Sequence, residues 1–272
     1  MLRPPKIIIS ILLIFLLVGI GKTQCPIETQ AFKYGEKLTY EVTYNWGIVW
    51  VKAGKVTFET DTKRIKNKTY FLFNGIGRSY SFYDWFYKVR DNYTSYTDPE
   101  TLLPLEFQRN TSEGNYKVNN SYFFDRESKI IISKIENSNK ISTTDTLNLE
   151  PCIFDVLSAV YYTRSIDFST KMPRDTVIIN IIIDGGFYNI PITYLGKGVI
   201  QNRDGSTYRC IKFSAKLVAG TIFKAGKEIY VYVTDDKNKI PIMVEASILV
   251  GSVKAYLLEY QGLKYKLTSL IK

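Results

Sequence analysis

Residues 36–46 read E-K-L-T-Y-E-V-T-Y-N-W. The alternation of Leu38, Tyr40, Val42, Tyr44 and Trp46 with polar neighbours has the two-residue period of a strand that buries one face. The same period recurs along almost the whole chain. Strands are expected over residues 49–60, 68–75, 88–97, 105–110, 116–124, 129–136, 176–183, 187–194, 197–201, 207–217, 228–234, 240–250 and 253–260. Glu113-Gly114, Asp184-Gly185-Gly186, Asp204-Gly205 and Gly251-Ser252 separate neighbouring runs and predict hairpins. The 21 Tyr and 15 Phe agree with this, because aromatic and branched side chains fit a pleated, half-buried surface. The polar stretch 137–146 reads as loop or linker.

The period changes once. Ile153, Val156, Leu157, Val160 and Tyr161 recur at helical spacing, and Pro151 suits a position at or just before a first helical turn. A helix over 153–164 is expected, its apolar stripe buried on a sheet face. Strands, one helix and strands again, joined by short connections, predict an all-β protein with one or two helices. The sheet is expected to be a large twisted antiparallel one, or a partly closed β-barrel, of about ten to fourteen strands. Thr97–Leu105 and Thr234–Ile242 both read T-D-x-x-x-x-[LI]-P-[LI]. The repeat reads as a turn device in which Asp serves turn amides and Pro opens the next strand; the alternative is a mark of two sub-sheets related by duplication. The organisation expected is a signal peptide over 1–21 and a single exported β domain over 22–272. Its sub-sheets, about 32–136 and 174–264, are joined by a linker and helix over 137–166.

Arg3 and Lys6 precede fourteen uncharged residues, Ile7 to Ile20. That run matches the apolar region of a secretory signal and is short for a membrane span. Gly19 and Gly21 place cleavage after Gly21, with Gln24 as the alternative, and the periplasm or outer envelope is the expected destination. Removal of Arg3 and Lys6 takes the formal charge from +10 to +8, on Lys residues that are scattered rather than clustered. The chain has no His, which removes Ser-His and Cys-His nucleophiles, His-ligated zinc and the usual neutral-pH base. No catalytic residue, cofactor or metal is assigned. Of the three Cys, Cys152 with Cys210 is the disulfide considered, leaving Cys25 near the terminus; three separate thiols are the alternative.

F-K-Y-G-E-K-L-T-Y-E-V-T-Y from Phe32, D-P-E-T-L-L-P from Asp98, F-D-V-L-S-A-V-Y-Y-T-R from Phe154 and V-T-D-D-K-N-K-I-P-I from Val233 resemble the bacterial domain-of-unknown-function family 3108. The resemblance implies a periplasmic or surface-associated protein of diderm bacteria, with no activity attached. More distantly the strand-Asp-turn-Pro-strand device resembles LolA-like carriers, which implies a curved sheet with an apolar lipid cavity. Residues 80–87 carry six aromatics in eight positions, more than one strand face can bury. Tyr80, Phe82, Trp85 and Phe86, with Trp46 and Trp50 around Gly47, are the expected ligand-binding residues, at the rim of a concave sheet face. A core-filling loop is the structural alternative. A non-enzymatic envelope protein that binds a lipid or other apolar ligand is therefore expected, with peripheral membrane contact and no nucleic acid. The alternative is an assembly protein binding other envelope proteins through its sheet.

Overall fold

The structure is a computed structural model describing residues 25, 27, 30–46, 49–216, 227–248 and 251–272; the expected signal peptide lies outside them. The first half of the chain forms β1 (Lys37–Trp46), β2 (Val49–Ile65), β3 (Lys68–Ser79), β4 (Val89–Thr97), β5 (Pro104–Glu113), β6 (Tyr116–Asp125), β7 (Ile130–Asn137) and β8 (Lys140–Asn148). A two-residue strand β9 (Ile153–Phe154) and the helix α1 (Val156–Arg164) follow. The second half forms β10 (Thr176–Ile183), β11 (Gly186–Gln201), β12 (Thr207–Lys216), β13 (Glu228–Thr234), β14 (Pro241–Ser247) and β15 (Ser252–Gln261). All fifteen strands belong to one sheet, in the order β8-β7-β6-β5-β4-β3-β2-β1-β15-β14-β13-β12-β11-β10-β9. Every neighbouring pair is antiparallel except β9 with β10. The two halves meet where β1 pairs with β15, from Lys37↔Gln261 to Tyr44↔Val253.

Three parts depart from the sequence expectation, each for a local reason. Residues 137–146 are not a linker: they supply the β7–β8 turn and most of β8. β8 is the last strand of its side, and an edge strand solvated on its free side tolerates a polar composition. The helix begins later than expected. Ile153 is drawn into β9 and Asp155 caps α1, accepting from the Leu157 and Ser158 amides at 2.8 and 2.9 Å, while the Ser158 hydroxyl accepts from the Asp155 amide. The expected strands 187–194 and 197–201 are one strand with a bulge at Tyr194/Gly196.

The Cys152–Cys210 pairing is also corrected: Cys152 is bonded to Cys25, with a Cα separation of 5.6 Å. Cys210 is a buried free thiol. It alternates along β12 with Ile211 and Phe213, which belong to the main core, so its side chain points to the other face of the sheet.

The sheet curls with α1 on its concave face. β1, β3, β5, β7, β10, β12 and β14 finish at one end of the curl, called the upper end here, and the helix fills the lower half. Phe73 stacks on Tyr161 with ring centroids 3.8 Å apart, and Phe32 packs edge-on to Phe71, Phe73 and Tyr161. The β10–β11 hairpin reaches across the curl. There the Asp184 carboxylate accepts from Asn120 at 2.9 Å and from Arg109 at 3.1 Å, and the Tyr122 hydroxyl accepts from the Gly185 amide. Closure is thus made by side chains; no hydrogen-bond ladder joins β8 to β9.

The two ends of α1 are tied by buried polar groups. The Asp155 carboxylate, fully buried, also accepts from Ser95 on β4 at 2.7 Å. At the other end Arg164 donates to both Glu36 carboxylate oxygens, at 2.6 and 3.0 Å, and to the Asn238 carbonyl at 2.9 Å. Its guanidinium lies over the rings of Phe32 and Tyr161. Glu36 and Arg164 are both almost wholly withdrawn from solvent, so removing one partner leaves an uncompensated buried charge. Arg164→Leu is expected to cost about 3–5 kcal/mol in a denaturant titration, and Arg164→Leu with Glu36→Leu to recover most of that loss.

Candidate functional site

Above the helix, in the upper half of the curl, the concave face divides into an apolar band and a polar cluster. Residues directly opposite in an antiparallel pair share a face, so the register traces the band. One row runs Gly54, Val42, Ala255, Val244, Val231, Phe213 and Tyr194. The next runs Val51, Tyr44, Val253, Ala246, Ile229, Ala215, Ile192 and Val177. Tyr194, Phe213, Ala215 and Ile192 are buried in the main core, which fixes the face. Towards β1 and β15 the rows are only half-buried: Val42, Tyr44, Val51, Ile229, Val231, Val244, Val253 and Ala255 keep part of their surface in solvent. The middle of the band is built from Gly, Ala and Val. At Gly54 no side chain fits, since a Cβ there would meet the Arg78 carbonyl at 2.3 Å.

The polar cluster lies on β4–β6. Asp91, Tyr93 and Ser95 alternate inward on β4, opposite Thr111, Arg109 and Phe107. The Arg109 guanidinium lies over the Tyr93 ring and reaches Asp184, and its Nε is buried without a hydrogen-bond partner. Burial, and then the Glu113 carboxylate, push the Asp91 carboxyl up to about 6; the Ser112 amide, Arg109 and Arg78 pull the other way. Burial likewise pushes the Tyr93 hydroxyl up to about 12. Among the described residues, no group of three His, Cys, Asp or Glu is placed to hold a metal.

The residues expected to bind ligand do not line this band. Trp50 sits opposite Asn45 on β1, with the Lys254 ammonium 5.1 Å from its ring. Lys254 pairs with Thr43, so Trp50 faces outward, one residue out of phase with Val51. Tyr80 also turns outward, donating to Glu41 at 3.3 Å. Phe82, Trp85 and Phe86 project from the β3–β4 connection, with 75, 83 and 65 % of their surface exposed. The core-filling alternative therefore fails for these three rings, and the placement of Trp50 and Tyr80 on the concave rim is corrected to the outer face by strand alternation. The side chain of Trp46 lies outside the described residues. The band residues were present in the predicted strands, but their meeting on one face depends on the β1–β15 pairing and on bulges at Val42/Thr43 and Tyr232/Val233, which alternation alone does not reveal.

A separate open depression of about 530 Å³ lies at the lower end, lined by Arg126, Lys129, Asn148, Leu149, Glu150 and Pro151; its charged lining does not suit an apolar ligand. Among the described residues, no helix is long and apolar enough to cross a membrane.

Among the described residues, a single curled sheet around one α-helix defines a β-barrel-like class. A crystal structure of a beta-barrel-like protein of domain of unknown function DUF1849 from Brucella abortus is similar to this chain, with a TM-score of 0.53 at 10 % identity, covering 87 % of this chain and 98 % of that one. Residues 39–258 match the family described as "Protein of unknown function (DUF3108)", and the chain belongs to that family. No curated protein matches it.

The Asp91 carboxyl binds its proton more tightly in the fold than in the unfolded chain, where the ordinary value is 3.8. The stability this adds is complete below about pH 4 and is lost as pH rises through about 6. Asp91→Asn keeps an oxygen for the Ser112 amide and removes the charge. It is expected to raise stability by about 1–2 kcal/mol at pH 8, after allowing for partial exposure, and to change it little at pH 4, in urea titrations at the two pH values.

Proposed function

We propose that this is a non-enzymatic, exported envelope protein that holds an acyl chain or similar apolar ligand on the concave face of its sheet. The observation that carries the reading is the apolar band: two uninterrupted rows of apolar residues, half-buried, next to a helix that fills only the lower half of the curl. Small side chains at its middle leave a shallow, smooth surface of the kind an acyl chain covers. Each methylene withdrawn from water contributes about 0.8 kcal/mol, so a chain of roughly ten methylenes offsets the cost of immobilising the ligand and still binds usefully. Tyr93, Arg109 and Asp91 sit on the same face beside the band, and suit the polar end of an amphiphile.

Export is supported by the charged-then-apolar start of the sequence and by the Cys25–Cys152 disulfide, since such bonds persist in oxidising compartments. An assembly role through the sheet edge β8 is the second reading; the exposed, polar β8 favours it only as an edge that accepts another strand.

Displacement of a fluorescent fatty acyl probe, in solution without vesicles, tests the proposal. Wild-type protein is expected to bind saturably. Ala255→Trp, which fills the band between Val42 and Val244, is expected to weaken binding at least about tenfold with the fold intact. Absence of saturable binding in wild type, or equal affinity in the variant, would remove the carrier reading.

A further inference from the structure

The β3–β4 connection holds its rings out of the core although its backbone is pinned. The Tyr80 amide donates to the Ala53 carbonyl, and a single 3-10 turn, Ser81–Tyr83, follows. The Phe86 and Tyr87 amides then donate back to the Tyr83 carbonyl. Polar side chains close the base. The Ser79 hydroxyl donates to Asp84 at 2.6 Å and accepts from the Val89 amide at 2.9 Å, and Arg90 grips both Ser79 and Asp84. Arg90, and then Ser79, hold the Asp84 carboxyl below the usual carboxylate range, so this clasp stays charged. An unpinned loop of this composition would turn its rings onto the nearest apolar surface; this one presents Phe82, Trp85 and Phe86 to solvent. Val49 and Trp50 begin the neighbouring strand and are exposed at the same end of the sheet.

The charge around these rings has one sign in excess. Lys52, Arg78, Lys88 and Arg90 surround the loop, against Glu41, Asp84 and Glu113, the last beside Tyr87. Four cations and three anions leave a surplus of one positive charge, while Asp91 alternates to the concave face. Aromatic rings flanked by Lys and Arg match a bilayer interface, where the ring body enters the headgroup boundary and the cations meet lipid phosphates. We infer that the upper end of the sheet docks on an anionic lipid bilayer through Phe82, Trp85, Phe86, Trp50 and Val49. A second copy of the chain fits this patch less well, because a two-fold contact sets the same surplus charges face to face. The inference deepens the proposed function and rests on it in one respect: the apolar band begins at the same end, so docking brings it to the source of its acyl chain.

The test uses the full exported chain with vesicles of phosphatidylcholine containing about one third phosphatidylglycerol, and with phosphatidylcholine alone. Wild-type protein is expected to float with the anionic vesicles and to show a blue-shifted tryptophan emission. Neutral vesicles or high salt should weaken this roughly tenfold. A Phe82→Ser, Trp85→Ser, Phe86→Ser variant is expected to lose flotation by about the same factor, with unchanged melting temperature and unchanged acyl-probe affinity in solution. Absence of wild-type flotation, or equal flotation of the variant, overturns docking. So does self-association without vesicles that the same substitutions abolish, which would assign the patch to a second copy. Flotation without any acyl-probe binding would sustain docking while removing the carrier reading.

Discussion

The Arg164–Glu36 pair is the interaction on which the curl depends. A single sheet that does not close by a ladder has nothing in its backbone to fix how far it rolls, so side chains must set its curvature. Arg164 joins the end of α1 to the residue before β1 and to the β13–β14 turn, across 128 residues in one direction and 74 in the other. The other end of the helix is fixed to β4 through Asp155 and Ser95. A buried pair of this kind contributes little net stability compared with an apolar replacement. What it supplies is position, because only one placement of the helix satisfies the carboxylate, the Asn238 carbonyl and the two flanking rings together.

That placement decides what the remaining concave face presents. With Phe32, Tyr161 and the helix occupying the lower half, the upper half keeps an apolar lining that no element of the described chain covers completely. The polar cluster at Asp91 and Arg109 borders it and is held by the β10–β11 hairpin through Asp184. The same end of the sheet carries a pinned aromatic loop. Band, cluster and loop share one end of the molecule because odd-numbered strands of the first half finish there and the β14–β15 connection returns there. Their proximity is a consequence of topology rather than of any one motif.

Much of this architecture was legible in local sequence. Alternation located most strands, Asp-Gly and Gly-Ser pairs located hairpins, and the change to helical spacing located α1. The T-D-x-x-x-x-[LI]-P repeat proved to be a turn device. Asp98 accepts the Glu100 and Thr101 amides; in the second copy the next residue, Asp236, accepts the Asn238 amide while Asp235 pairs with Lys197, and both turns use a left-handed residue at the same place, Leu102 and Lys239. The misreadings came from interactions that local pattern does not encode. A polar edge strand resembles a linker when its pairing partner is unknown. Cys152 has two candidate partners by spacing, and only the face on which Cys210 lies decides between them. An aromatic run suggests a lining, yet Trp50 turns outward because the bulge at Val42/Thr43 shifts the alternation of β2, and Tyr80 because it follows Ser79, which faces inward opposite Gly54.

The half-buried band is proposed to be occupied by an apolar chain in the cell. Native mass spectrometry of protein purified from its native cells, without delipidating detergent, tests this most directly. A mass above that of the polypeptide alone is expected, with the excess released on denaturation as an acyl-chain lipid. A bare polypeptide mass under conditions that preserve the fold would contradict it.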